Sequence, residues 1–152
     1  MIRSWMVIGG VALLLAILGS SILPPKGVQW FKRLHRPQWL TFEKLIPLIW
    51  TFVLTCGVWS AVQVWEQDPG SSKTWTLMAG YLLLELAILA YSPALLVGRS
   101  LKLGTVVGAV GFVIGLILAI TVLNVTSSAA LLLLPFLLWS PIGTYTTWAM
   151  LK

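Results

Sequence analysis

The amino-acid sequence predicts an all-α fold, an integral membrane bundle of five transmembrane helices. Hydrophobic residues make up 59% of the chain and charged residues only 9%, whereas soluble domains contain about 25% charged residues. Uncharged stretches of about 20 residues, long enough to cross a bilayer, recur along the sequence. Because 152 residues are too few for two ordinary domains, we expect a single membrane domain over residues 1–152.

The uncharged stretches define the boundaries of the spans. The last stretch, residues 103–151, is too long for one crossing, and small polar residues at 124–128 (NVTSS) divide it at a turn. We therefore predict spans at residues 4–24, 45–65, 75–98, 103–124 and 128–150. A long loop over residues 25–44 is predicted to act as a lid.

The basic residues predict the orientation, because Lys and Arg are enriched in cytoplasmic loops. Five alternating spans place eight Lys and Arg on one side of the membrane and two, Arg3 and Lys73, on the other. The N-terminus is therefore predicted to lie outside and the C-terminus inside. The net charge of +6 does not indicate nucleic-acid binding, because the basic residues lie between apolar runs rather than along one face.

Glycines in the fourth span allow another helix to approach its backbone. Gly104 and Gly108, like Gly111 and Gly115, lie four residues apart and are predicted to share a helix face. Two uses of this face stay open: packing inside the bundle, which we favour, and the seam of a homodimer.

Signatures of catalysis and metal binding are scarce. The sequence has no glycine-rich phosphate loop, no paired carboxylates and no nucleophile–base–acid set. The single cysteine, Cys56, excludes an internal disulfide and a cysteine-based metal site. The single histidine, His35, is either a solvated loop residue, which we favour, or an axial haem ligand. We expect no metal site.

Glu85 is the only acidic residue inside a predicted span, where a carboxyl group is costly enough to indicate a function. It contacts a ligand, carries a proton, or lies between helices where a neighbouring hydroxyl satisfies it. No basic residue lies in the interior of another span, so a buried salt bridge is not expected.

Tryptophan is unusually frequent, with nine copies. Several fall at predicted span ends, where indole rings favour headgroup depth. Trp50 and Trp139 lie deeper, near the side that carries the long loop. If this loop folds over the bundle, it brings Trp30, Phe31 and Trp39 toward them. Aromatic walls of this kind suit a flat, apolar ligand with polar edges. From the residues alone a second explanation stays open, and we favour it: an interface belt of tryptophans with basic residues that anchor the orientation.

Three segments of the sequence share the order and spacing of a known pattern. Residues 30–39 (WFKRLHRPQW) contain an aromatic pair followed by Arg-Pro-x-Trp, and residues 47–51 (PLIWT) contain Pro-x-x-Trp. In the fifth span, residues 134–139 (LPFLLW) are followed by residues 144–148 (TYTTW). Over nearly its whole length the chain resembles the translocator protein family, also called the tryptophan-rich sensory protein (TspO/MBR) family.

The resemblance implies a five-helix bundle, often dimeric, that binds porphyrins such as protoporphyrin IX and haem as ligands and requires no cofactor. Residue by residue, it implies lid residues at Trp30 and Phe31, pocket tryptophans at Trp50 and Trp139, a small residue beneath the ligand at Gly143, and a polar pocket residue at Thr147.

Some positions depart from the family pattern. Phe31 stands where tyrosine is frequent, Leu54 where an aromatic residue is frequent, and Glu85 near a usual Gln/Asn pair. The spacing from Tyr145 to Lys152 is one residue too long for the family's cholesterol motif, which argues against sterol binding. The predicted ligand-binding residues are Trp30, Phe31, Trp39, Trp50, Leu54, Glu85, Trp139, Gly143 and Thr147.

Together with these residues, the resemblance implies a membrane-embedded tetrapyrrole-binding protein with a role in tetrapyrrole homeostasis, transport or stress sensing. Two alternatives stay open: a porphyrin-degrading enzyme with Trp50 and Trp139 as redox-active neighbours, and a small proton-coupled transporter that uses Glu85. The expected partners are the lipid bilayer, a tetrapyrrole or other hydrophobic small molecule, and a second copy of the chain.

Overall fold

The computed structural model describes residues 3–34 and 45–150. Its helices are α1 (Ser4–Ser21), α2 (Pro25–Lys32), α3 (Ile46–Gln67), α4 (Ser72–Val97), α5 (Leu101–Leu123), α6 (Ser127–Leu132) and α7 (Leu134–Ala149). Within the described ranges, five helical stretches are long and apolar enough to cross a membrane, and α6 with α7 forms the fifth. The predicted all-α bundle of five spans is confirmed, and every predicted boundary lies within about three residues of the helix end.

The spans run alternately up and down, so the bundle has two ends that differ in charge. A hydrogen bond from the Ser4 hydroxyl to the Glu66 carboxylate joins the start of α1 to the end of α3. We name this the N-terminal end. The opposite end, named the α2 end, carries most of the described basic residues: Lys26, Lys32, Arg33, Arg99 and Lys102. Which side of the membrane each end faces stays a prediction.

The structure corrects the predicted loop over residues 25–32, which form the helix α2. Pro25 suits the first turn of a helix, because the N–H that proline lacks has no partner within the helix there. Trp30 and Phe31 then pack on an apolar cluster at the α2 end, formed by Leu95, Leu96 and Leu101. Residues 35–44 of the predicted lid lie outside the described residues.

Two glycines of α5 allow α4 to approach closely. A Cβ on Gly104 would lie 2.9 Å from Leu95 Cδ1, and one on Gly111 would lie 3.8 Å from Ala87 Cβ. These glycines are seven residues apart, a spacing that nearly repeats the same angle around a helix. Gly104 and Gly111 therefore face the same helix, α4. The four-residue spacing predicts instead that Gly104 and Gly108 share a face.

The other two glycines of α5 face α7. A Cβ on Gly108 would lie 2.5 Å from Thr144 Oγ1, and one on Gly115 would overlap the ring of Phe136. Such close approach gives membrane helices the van der Waals contact that holds them together. These glycines thus serve packing inside the bundle, the use that we favoured from the sequence. A homodimer stays a prediction.

The fifth span is interrupted at Leu133 because Pro135 follows. Proline lacks an N–H, and its ring crowds the carbonyl four residues earlier. At the interruption, the Leu133 N–H donates to the Ala130 carbonyl, and the Ala129 carbonyl accepts a 2.7 Å hydrogen bond from Ser60 Oγ of α3. The buried core surrounds this point and draws on α3 to α7, with members that include Val53, Val64, Leu84, Leu118, Val122, Leu133 and Phe136.

The helix α1 contributes nothing to this core, since none of its 18 residues is buried. It nevertheless contacts both α3 and α4. A helix that buries so little leaves space between itself and its neighbours. This space is the candidate site.

Candidate ligand-binding cavity

A cavity of about 800 Å³ lies between α1, α3 and α4. Leu133 and Phe136, at the junction of α6 and α7, also line it. Small-molecule sites in proteins have volumes of about 300–1,000 Å³. The cavity is therefore large enough for a ligand of cofactor size.

Small residues on two helices create the cavity. Gly9, Ala12 and Ala16 line it from α1, at spacings of three and four residues that place them on one helix face. Gly57 lines it from α3, and a Cβ there would meet no neighbouring atom within 4 Å. Larger side chains at these positions would fill the space.

Two tryptophans form the wall at the N-terminal end of the cavity. Trp65 and Trp75 both line it, with ring centroids 5.0 Å apart and planes at 77°. This edge-to-face geometry is a favoured arrangement of two aromatic rings. The pair gives the N-terminal end of the cavity an aromatic wall against which a flat ligand can stack.

Among the described residues that line the cavity, two carry a charged group, Arg3 and Glu85. Arg3 lies at the N-terminal end, and Glu85 lies ten residues along α4 from Trp75, which corresponds to about 15 Å. Glu85 Oε1 is buried and has no hydrogen-bond partner among the described residues. An unsatisfied buried polar atom costs free energy, so this atom is the natural partner for an N–H or O–H of a ligand.

Tyr81 lines the cavity and is held in place by α3. Its hydroxyl lies 2.5 Å from Ser60 Oγ, which itself lies 2.7 Å from the Ala129 carbonyl oxygen. Ser60 has a single hydroxyl proton, which it donates to the carbonyl, so Tyr81 is the donor to Ser60. These bonds tie α3, α4 and α6 together and fix one wall of the cavity before any ligand binds.

The structure places two of the predicted site residues, Leu54 and Glu85, on the cavity. Trp50 and Trp139 are both half-buried and pack against the buried core that borders it. They share one cluster but do not line the cavity. Trp30 and Phe31 lie at the α2 end, and Trp39 lies outside the described residues.

Two predicted residues of α7 also lie away from the cavity. Thr147 is buried, donates a hydrogen bond to the Gly143 carbonyl at 3.1 Å, and accepts one from the Tyr91 hydroxyl of α4. A Cβ on Gly143 would meet no neighbouring atom within 4 Å. Thr147 therefore joins two helices, whereas Gly143 borders open space. Ligand contact by either stays a prediction.

Sequence reasoning missed Arg3, Trp65, Trp75 and Tyr81 as residues that line a cavity. Trp65 and Trp75 lie at span ends, where tryptophan is expected as part of an interface belt. The sequence does not show that α1 lies across a cavity from them. The sequence feature that could have indicated the cavity is the row of small residues Gly9, Ala12 and Ala16 on one face of α1. Within residues 3–34 and 45–150, no group of three His, Cys, Asp or Glu could hold a metal ion.

Five helical stretches that are long and apolar enough to cross a membrane define a multi-pass integral membrane protein, with a cavity between α1, α3 and α4. Residues 7–152 match the sequence model of the TspO/MBR family, and the chain belongs to this family. It is 27% identical over 129 residues to tryptophan-rich protein TspO of Bacillus cereus, an alignment that covers 85% of this chain and 83% of the relative. The family predicted from the motifs is confirmed.

Proposed function

We propose that the chain binds a tetrapyrrole of the protoporphyrin IX or haem type, or a similarly flat hydrophobic molecule, in the cavity between α1, α3 and α4. The observation that carries the proposal is a cavity of about 800 Å³ with aromatic walls and one unsatisfied carboxyl oxygen, that of Glu85. Membership of the TspO/MBR family supports an association with tetrapyrroles or with sensing. Binding of this kind supports a role in tetrapyrrole homeostasis, transport or stress sensing.

Recognition inside a bilayer cannot rest on burying apolar surface alone. An apolar ligand dissolved in lipid is already away from water, and lipid tails are as apolar as the cavity wall. Affinity must therefore come from close packing, from stacking and from polar contacts. Trp65 and Trp75 offer stacking, worth about 0.5–1.5 kcal/mol per aromatic pair, and Glu85 offers a polar contact in the apolar interior.

The test is a tryptophan-fluorescence titration of the protein in detergent with protoporphyrin IX. The proposal predicts saturable quenching, and it predicts that Gly57→Leu weakens binding at least about tenfold because the new side chain occupies the cavity. The matched control is Gly10→Leu, at an exposed glycine of α1 that does not line the cavity and has equal room for a Cβ.

Two results would contradict the proposal. One is quenching that stays linear with added porphyrin and matches that of a tryptophan analogue in empty micelles, since this describes partition into detergent. The other is unchanged affinity in Gly57→Leu with the helical content of the protein preserved, since this places the ligand elsewhere.

A further inference from the structure

We propose that the N-terminal end of the cavity is a subsite for the carboxylate of an anionic amphiphilic ligand, and that Arg3 binds this carboxylate. The proposal rests on the proposed function, because it assigns one end of the same cavity. In this orientation the charged group of the ligand lies at the N-terminal end, and its apolar body lies between α1, α3 and α4.

The position and free donors of Arg3 are the first argument. Arg3 lines the cavity, and its guanidinium forms no ion pair or side-chain hydrogen bond with any residue in the described part of the chain. The Glu66 carboxylate lies at the same end and is bonded to the Ser4 hydroxyl. A guanidinium carries donors in a planar fork that matches the two oxygens of a carboxylate.

The distribution of charge along the cavity is the second argument. Glu85 lies about 15 Å farther along α4 than Trp75, so a ligand carboxylate at that depth would face another acidic group inside the bilayer. The described basic residues of the α2 end do not line the cavity: Lys26, Lys32, Arg33, Arg99 and Lys102. Among the described residues, Arg3 is thus the cation that an anionic group inside this cavity can reach.

The depth of the subsite is the third argument. Trp65 and Trp75 flank it, and tryptophan at a span end favours the headgroup region. A carboxylate placed there stays partly hydrated, while the ligand body occupies the apolar part of the cavity. This arrangement avoids the cost of carrying a charge to the centre of the bilayer.

The experiment compares protoporphyrin IX, a dicarboxylic acid, with its dimethyl ester, which has the same ring and no carboxylate. Wild-type protein is expected to bind the diacid about fivefold more tightly than the ester, the scale of an exposed ion pair. Arg3→Gln should remove this preference and leave the affinity for the ester unchanged, and Arg3→Lys should retain part of it. Lys73→Gln, which removes another cation from the N-terminal end but does not line the cavity, should behave as wild type.

A lipid phosphate offers the same chemistry, so a second arm adds phosphatidylglycerol or phosphatidylcholine to the micelles. Competition by phosphatidylglycerol that disappears in Arg3→Gln would support the subsite and identify the lipid headgroup as its occupant. A diacid preference without such competition would support the ligand carboxylate. Equal binding of diacid and ester by wild type, with no lipid competition, would overturn the subsite alone. Failure to bind either porphyrin would overturn the proposed function and the subsite with it.

Discussion

The Tyr81 hydroxyl of α4 donates a hydrogen bond to Ser60 Oγ of α3 across 2.5 Å, beside the cavity. Ser60 in turn donates to the Ala129 carbonyl, which lies four residues before the interruption at Leu133. One hydroxyl therefore connects three helices beside the cavity. The connection gives the cavity a wall that does not have to form when the ligand binds.

This geometry predicts unequal effects of removing its two hydroxyls. Ser60→Ala leaves both the Tyr81 hydroxyl and the Ala129 carbonyl without a partner, and we expect it to cost about 1–3 kcal/mol of stability. Tyr81→Phe leaves the bond from Ser60 to Ala129 intact and should cost about 0.6 kcal/mol, the average for hydrogen bonds between membrane helices. Unfolding in mixed micelles, followed by circular dichroism, measures both; equal losses would contradict the assigned direction of donation.

The glycines of α5 predict a second pair of effects on stability. Gly115→Ala places a methyl group against the Phe136 ring and is expected to destabilise the bundle by about 1–3 kcal/mol, the range for overpacked cores. Gly10→Ala is the control, because a Cβ at Gly10 meets no neighbouring atom within 4 Å. A thermal unfolding series in detergent checks this prediction, which fails if the two variants lose the same stability.

Glu85 should show opposite effects on stability and on binding. Glu85→Leu removes a buried carboxyl oxygen that has no partner in the described structure, so we expect the ligand-free protein to become more stable. The same variant should bind protoporphyrin IX more weakly, because it lacks the polar contact in the cavity. Melting temperature and titration are measured on the same preparation. A loss of stability would show that Glu85 is satisfied within the protein.

Trp139 is expected to affect stability more than binding. Its side chain packs against the buried core rather than lining the cavity. Trp139→Leu should therefore lower the free energy of unfolding, by about 1–3 kcal/mol for a large-to-small change at a half-buried position. Affinity for protoporphyrin IX should change less than in Gly57→Leu. A larger loss of affinity in Trp139→Leu than in Gly57→Leu would instead place the binding site at Trp50 and Trp139, the tryptophans that the family motifs imply.

The spans could be predicted from the sequence because the length of an apolar run is a local property of the chain. The partners of the α5 glycines could not, because a spacing of four residues marks a face and does not say which helix lies on it. Only the structure shows that Gly104 meets α4 while Gly108 meets α7.

Less of the candidate site could be predicted, because it depends on which helices lie next to each other. Leu54 and Glu85, which the sequence predicts to bind the ligand, line the cavity, and their contact with a ligand stays a prediction. The cavity itself depends on how far α1 stands from α3 and α4, and this distance is set by contacts between residues far apart in sequence. The sequence alone therefore could not reveal that Trp65 and Trp75 line a cavity as well as marking the end of a span.

The central claim is that the ligand occupies the cavity between α1, α3 and α4. Two glycines with equal room for a side chain test it most directly: Gly57 lines this cavity, whereas Gly143 lies at the position that the family motifs imply beneath the ligand. The measurement is a parallel protoporphyrin IX titration of Gly57→Leu and Gly143→Leu. We predict a loss of at least about tenfold in affinity for Gly57→Leu and near wild-type affinity for Gly143→Leu. Normal binding by Gly57→Leu together with weakened binding by Gly143→Leu would contradict the claim.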